Sequence, residues 1–268
     1  MHASIGKMQI LDDCMDPARA QALHAVLGRK GPAPEIGDPL PAFWHQIYFW
    51  QAVPAEQLGR DGHMKTGGFI PDLGLPRRMW AGGELEFFQP LVTGRPAQKL
   101  TRIEKIVPKQ GRTGPLAFVT LCHEFSQSDA LCVRERQDLV YRQDPSENAP
   151  QPVVPLAPQG ETVRTRHRFD ATTLFRYSAL TMNGHRIHYD PDYCRAVEGY
   201  PGLVVHGPLL AQVLMQMAEE QNRPLARFRF RATSPLFHFE AADFCQNGAD
   251  FWVRGPDGRQ CMEAKAAW

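Results

Sequence analysis

The chain has 268 residues, enough for one large domain or two ordinary ones with a real core. Hydrophobic residues make up 43% and charged residues 22%, the balance of a globular protein rather than a disordered one. Thirty basic against 29 acidic residues leave a net charge of +1, which gives no global reason to expect nucleic acid or anionic membrane as a partner.

Near the N-terminus, residues 11–29 place Leu23, Val26 and Leu27 at helical spacing, with Asp16 as a cap and Pro17 in the first turn. One helix ending near Gly28 is expected. Residues 31–42 hold four prolines and two glycines and read as an extended connection. The aromatic run FWHQIYFW at 43–50 reads as a strand or a buried helix. The start of the chain lacks the basic residues and apolar run of a signal peptide, and no uncharged run is long enough to span a bilayer. Six scattered cysteines without a CxxC pair argue against a disulfide framework or a thiolate zinc site. A reduced, cytoplasmic protein is expected.

The stretch 144–161 carries five prolines and neither helical nor alternating periodicity. It reads as a linker between a half spanning 1–143 and a half spanning 162–268. The halves echo each other. MWAGGELEFFQPLVTG and RFRFRATSPLFHFE each run from an alternating strand through Pro-Leu into further strands. The second half adds an apolar helix at 207–221, with Leu209, Leu210, Val213, Leu214, Met217 and Ala218 forming a broad stripe. A curved antiparallel sheet wrapped around a helix, present twice, is the physical reading.

Three constellations carry chemistry. In YSALTMNGHRIHYDPDY, Asn183, His185, His188, Asp190 and Asp192 crowd ten positions. Asn183-Gly184 is a turn signal, the histidines at i,i+3 would suit a metal, and imidazole suits acid–base chemistry near neutrality. The metal reading lacks the zincin spacing and an evident third ligand. In PGLVVHGPLLAQVL, His206 and Gly207 precede a helix whose first N–H groups point outward at the positive end of its dipole. That end could hold an oxyanion, or Gly207 could serve helix packing. Third, Arg227, Arg229 and Arg231 alternate with Phe228 and Phe230, as a solvated sheet face or a phosphate-binding one. Arg77 and Arg78 form a smaller basic pair beside Trp80.

LFRYSALTMNGHRIHYDPDYCRAVEGYPGLVVHGPLLAQVL and GGFIPDLGLPRRMWAGGELEFFQPLVTG resemble the MaoC-like hydratase/dehydratase family of double hot-dog proteins. Within it the likeness is to the 3-hydroxyacyl-thioester dehydratase type 2 group, which includes mesaconyl-CoA and itaconyl-CoA hydratases. The resemblance covers most of the chain from about Phe43. It implies an α+β fold of two curved antiparallel sheets, each around a central helix, and reversible hydration of a 2-enoyl thioester. It also implies a homodimer, with coenzyme A as part of the substrate and no separate cofactor or metal. The general motif, Asp-x-Asn-x-x-His, falls on Asn183, His185 and His188, so the chain keeps the histidine and departs at the other two positions.

Carried over, His188 is the expected base, Asn183 the residue orienting water, His185 a second polar partner and Gly207 the oxyanion donor. Arg229 and Arg231 are expected at the coenzyme A phosphates, Arg77 or Arg78 at a distal carboxylate, and Trp80 and His206 along the substrate. The resemblance implies that the first half accommodates the acyl group and carries no catalytic signature. A five-carbon dicarboxylyl-CoA is the expected substrate. A fatty 3-hydroxyacyl thioester and a non-catalytic acyl-CoA-binding role are the alternatives.

Overall fold

The computed structural model describes residues 2–111, 114–144, 153–221 and 223–268. Among these residues ten antiparallel strands form one sheet. In the first part these are β1 (Met8–Asp13), β2 (Arg77–Phe87), β3 (Ala97–Gly111), β4 (Gly114–Gln127) and β5 (Ala130–Arg142). In the second they are β6 (Val163–Arg168), β7 (Arg227–Ala232), β8 (Ala241–Asn247), β9 (Asp250–Arg254) and β10 (Gln260–Ala267).

The strand order is β1-β3-β4-β5-β2-β7-β10-β9-β8-β6. Read outward from the centre, each part repeats one pattern, with β7, β8, β9, β10 and β6 in the places of β2, β3, β4, β5 and β1. The repeated motif noticed in sequence is thus a repeat of topology. The two sheets are joined edge to edge where β2 pairs with β7, Gly82 opposite Arg231 through Glu86 opposite Arg227.

Among the described residues four α-helical segments accompany the sheet: α1 (Pro17–Val26), α2 (Ala171–Leu180), the single turn α3 (Pro191–Tyr193) and α4 (Gly207–Glu219). Asp16 caps α1 by accepting from the Ala18 N–H at 2.9 Å, with Pro17 at the helix start, and Gly28 follows its end at φ 61°. The N-terminal strand β1 was not legible; at the sheet edge against β3 its half-buried face carries Gln9, Leu11 and Asp13 while Met8 and Ile10 are exposed, so apolar positions do not mark the inner face.

α4 is the central helix of the second part. Leu209, Leu210, Ala211, Val213, Leu214, Met215, Met217 and Ala218 are all buried, and full burial of each larger side chain contributes about 1.5–3 kcal/mol. Its two inward polar groups grip the first part: Gln212 donates to the Ala42 carbonyl at 3.1 Å, and Glu219 accepts from the Ala42 N–H at 2.7 Å.

The double hot-dog is present, with one difference in detail. Where the first part would carry its own central helix, the run 43–50 is neither strand nor helix but a short 3-10 turn, Trp44–Ile47. Phe43 and Phe49 flank it in left-handed backbone at φ 69° and 58°. Phe43, Trp44, Ile47, Tyr48 and Phe49 are buried in the main core, so bulky rings fill the volume that a longer helix would occupy. Of the Pro-rich stretch 144–161, residues 145–152 lie outside the described residues. Beyond them Ala157 donates to the Gly258 carbonyl at 2.9 Å and packs against Cys245 and Trp252.

Candidate active site

The polar cluster hangs from the end of α2. Asp170 caps that helix by accepting from Thr173 at 2.8 Å. At its far end Met182 turns into left-handed backbone, and the Asn183 side-chain oxygen accepts from the His185 N–H at 3.0 Å. Asn183 therefore builds the turn, with its amide oxygen committed to the backbone. Asp190 accepts from the Tyr193 N–H at 2.9 Å, capping the turn that begins at Pro191, and pairs with Arg186 at 2.7 Å.

His188 sits on the short helical turn Arg186–His188 and is 6% exposed. Its Nδ1–H donates to the Val204 carbonyl at 2.8 Å. That bond fixes the tautomer and leaves Nε2 as the lone-pair nitrogen. Burial, outweighing the Val204 bond, pushes the imidazole down to about 3, so it is neutral at ordinary pH, with Nε2 unprotonated. His206 stacks on it with ring centroids 3.6 Å apart. His206 is fully buried, shares a hydrogen bond of 2.8 Å with the Ser178 hydroxyl, and meets the Tyr177 ring at 4.9 Å. It backs His188 from inside, and the structure does not place it on an open surface where a substrate would lie.

Next to His206, Gly207 opens α4. From Gly202 to Met215 every residue is buried except Gly207. Its N–H belongs to the first helical turn and has no intrahelical acceptor. A Cβ added there would meet nothing nearer than the Trp80 carbonyl at 3.9 Å, so packing does not demand glycine. Trp80 lies over this helix end, its indole N–H turned to the Gly82 carbonyl at 2.9 Å.

The first part of the chain adds residues that the sequence reading missed. The loop Gly59–His63 presses against the Asn183–His188 loop, backbone on backbone. A Cβ on Gly62 would stand 1.9 Å from the Gly184 carbonyl oxygen, and one on Gly184 would stand 2.6 Å from that of Gly62. Only glycine permits that approach. The Arg186 N–H donates to the Asp61 carbonyl at 2.8 Å across the same seam. This docking brings the His63 ring to 4.5 Å from that of His185, which in turn meets His188 edge-on at 5.5 Å. Asp61 bonds His63 Nδ1 at 3.0 Å. The one signal in sequence was Asp61-Gly62-His63 itself, a turn dipeptide followed by an imidazole.

Burial and then the nearby Arg78 charge hold His63 below its ordinary value, and burial does the same to His185 and His206. Against the upward push of burial, His63 keeps the Asp61 carboxyl down at about 2. Asp61, His63 and His185 offer ligand atoms within 4.8 Å of one another, the one grouping among the described residues whose spacing a metal ion could use.

The four arginines separate. Arg77 is buried and ion-paired with Glu198, 8% exposed, whose main-chain carbonyl it also reaches at 3.4 Å. Arg78, next along β2, makes no ion pair among the described residues and acts on His63 and His185. Arg229 and Arg231 do alternate with buried Phe228 and Phe230, on the exposed face of β7, and Arg231 pairs with Glu263 at 2.8 Å. Because the phenylalanines take the core face, these two arginines point away from it and are not brought to the histidine cluster.

The topology defines a double hot-dog protein. A Mycobacterium tuberculosis protein described as having a double hotdog fold superposes with TM-score 0.61 at 11% identity, over 98% of this chain and 95% of that one. A MaoC-like dehydratase from Phytophthora capsici superposes with TM-score 0.67 at 13% identity, over 98% and 95%. By sequence, a mesaconyl-C(4)-CoA hydratase of Chloroflexus aurantiacus is 43% identical over 98% of this chain and 95% of its own. The model of the hydroxyacyl-thioester dehydratase type 2 family matches residues 43–238, and the chain belongs to that family of MaoC-like hydro-lyases.

Proposed function

We propose that this protein adds water reversibly to the double bond of a short 2-enoyl-CoA, with a five-carbon dicarboxylyl-CoA such as mesaconyl- or itaconyl-CoA as substrate. The carrying observation is His188: a buried neutral imidazole whose Nδ1–H is tied to Val204, leaving Nε2 to accept a proton, with its stacking partner His206 adjacent to the open N–H of Gly207. In hydration, the water oxygen bonds to the β-carbon while its proton passes to His188 Nε2. The electrons of the double bond move toward the thioester oxygen, held by the Gly207 N–H at the positive end of α4, and the α-carbon then takes a proton.

The substrate class is supported by the 43% identical relative, which is named for mesaconyl-C(4)-CoA, and by Arg78, a guanidinium without an ion-pair partner among the described residues. Asn183, its oxygen held in the turn, keeps the loop in shape, and Trp80 walls the helix end. The first half (1–143) shapes the acyl side and the second (162–268) carries the base, with the Pro-rich stretch between them. Among the described residues no helix is long and apolar enough to cross a membrane. The six unpaired cysteines suit a reducing compartment, so the cytoplasm is our reading, with a homodimer as the assembly that the family resemblance implies.

A panel of enoyl-CoAs from crotonyl to mesaconyl and itaconyl, read by mass spectrometry for the gain of one water, tests this directly. The dicarboxylyl thioesters are expected to react fastest, and His188→Ala to slow them by about 100-fold or more. Turnover by His188→Ala at the parent rate would remove the assignment, and binding without product would leave an acyl-CoA-binding protein instead.

A further inference from the structure

Between taking a proton from water and giving one to the α-carbon, the histidine row carries an extra positive charge in a buried place. The loop that provides the base provides no carboxylate to balance it. The position where the wider motif has aspartate is Asn183, and the nearby Asp190 is committed to Arg186 and to the Tyr193 cap.

The structure supplies a carboxylate from elsewhere. Asp61, His63, His185 and His188 form a continuous row, with Asp61 bonded to His63 at 3.0 Å and ring centroids at 4.5 Å and 5.5 Å along it. The row crosses from the first part of the chain to the second at the Gly62–Gly184 contact, where the two backbones could not approach if either residue had a side chain. We infer that Asp61, acting through His63, is a positioning residue for the hydration step, standing in for the aspartate absent at position 183. The inference rests on the hydration reading above. Asp61 holds the His63 proton on Nδ1, which leaves His63 Nε2 as the lone-pair nitrogen of a ring packed against that of His185. Its negative charge then offsets the proton that the row takes from water and returns to the α-carbon, so the row ends each turnover with the protons it began with.

A bound cation is the rival use of the same three groups. The direct Asp61–His63 bond and the Arg78 charge beside His63 and His185 weigh against it. Other groups acting here are His206 behind His188, and Tyr141 and Tyr189, which sense Asp61.

The test is charge relocation. Asp61→Asn is expected to lower kcat by about 100-fold with KM within about threefold and thermal unfolding close to the parent's. Adding Asn183→Asp in that background is expected to recover at least about tenfold, by returning a carboxylate to the motif position. A merely structural Asp61 would not be rescued from a position across the seam. His63→Gln, which keeps a hydrogen-bonding side chain, is expected to behave like Asp61→Asn and covers the case of a poorly folded Asp61 variant.

Histidine ¹⁵N spectra of the resting protein give an arm that needs no turnover. The His63 Nδ1–H tautomer is expected to dominate in the parent and to mix in Asp61→Asn. Parent-like kcat in Asp61→Asn, no recovery in the double variant, or unchanged ¹⁵N spectra would each overturn the inference. So would stoichiometric zinc that a chelator removes together with activity. If the parent hydrates no thioester while the tautomer shift appears, the hydration reading fails and the Asp61–His63 pairing stands.

Discussion

Two adjacent arginines show how much a single residue's direction decides. Successive side chains on a strand point to opposite faces, so Arg77 and Arg78 cannot share a role. Arg77 is buried against Glu198, and removing one partner of such a pair leaves a charge stranded, at a cost of about 3–5 kcal/mol. Glu198→Ala is therefore expected to lower the denaturant midpoint sharply, while KM of the folded fraction changes little. Arg78→Ala is expected to do the reverse: KM for a dicarboxylyl-CoA rises about tenfold, that for crotonyl-CoA stays put, and the melting temperature holds. Steady-state kinetics beside melts of both variants separate the two. The sequence offered both arginines equally, because a strand's register and facing are set by its partners. His188 was legible, since it is the position at which the chain keeps the motif. The burial of His206 was not, because it depends on how α2 packs against the segment leading into α4.

At the level of elements, the loops and helix ends carry the site. α4 could be read almost to its final residue from its apolar stripe, and the alternation of 227–231 gave the facing of β7 correctly. The aromatic run 43–50 could not be read, because bulky residues at every position satisfy a strand, a helix or a plug equally well. The junction of the Gly59–His63 and Asn183–His188 loops was also hidden, since nothing local announces a contact between segments so far apart. Gly207 and Gly62 make contrasting predictions. Gly207→Ala is admitted by the fold and is expected to leave the melting temperature within about 2 °C, with any loss falling on kcat. Gly62→Ala must displace the Gly184 carbonyl, at φ 87° as well, and is expected to lower both stability and kcat. Differential scanning calorimetry and kinetics on the same preparations check both.

For the molecule as a whole, buried histidines tie stability to pH. Burial holds His188 and His123 down at about 3 from an ordinary 6.5, and lowers His63, His185 and His206 as well. The unfolded chain takes up these protons near pH 6.5, whereas the folded chain takes them up only at lower pH, near 3 for His188 and His123. Their contribution to stability is thus complete above about pH 6.5 and is lost as pH falls toward 3, at up to about 1.4 kcal/mol per pH unit for each histidine. Melting temperature is expected to be level from pH 8 to 6.5 and to drop steeply below. His123→Gln, away from the site and bonded to Thr101 and Gln137, should soften that drop without affecting turnover at pH 7.5. The duplicated architecture was legible in outline from the repeated strand–Pro-Leu pattern. The edge-to-edge joining of β2 to β7 was not, because an unpaired strand edge is invisible in a sequence.

The backbone contact between Gly62 and Gly184 also bears on how this chain can vary. A repeat without a counterpart of the NGHRIH loop would ordinarily be free to accumulate change. Here a five-residue turn in it lies against the Asn183–His188 loop, with no room for even a methyl group where Gly62 meets Gly184. A saturation library sorted for folded protein, with no demand on turnover, should therefore lose substitutions at 62 and 184 while the neighbouring polar positions of both loops accept them. No single compensating change elsewhere would reopen either position.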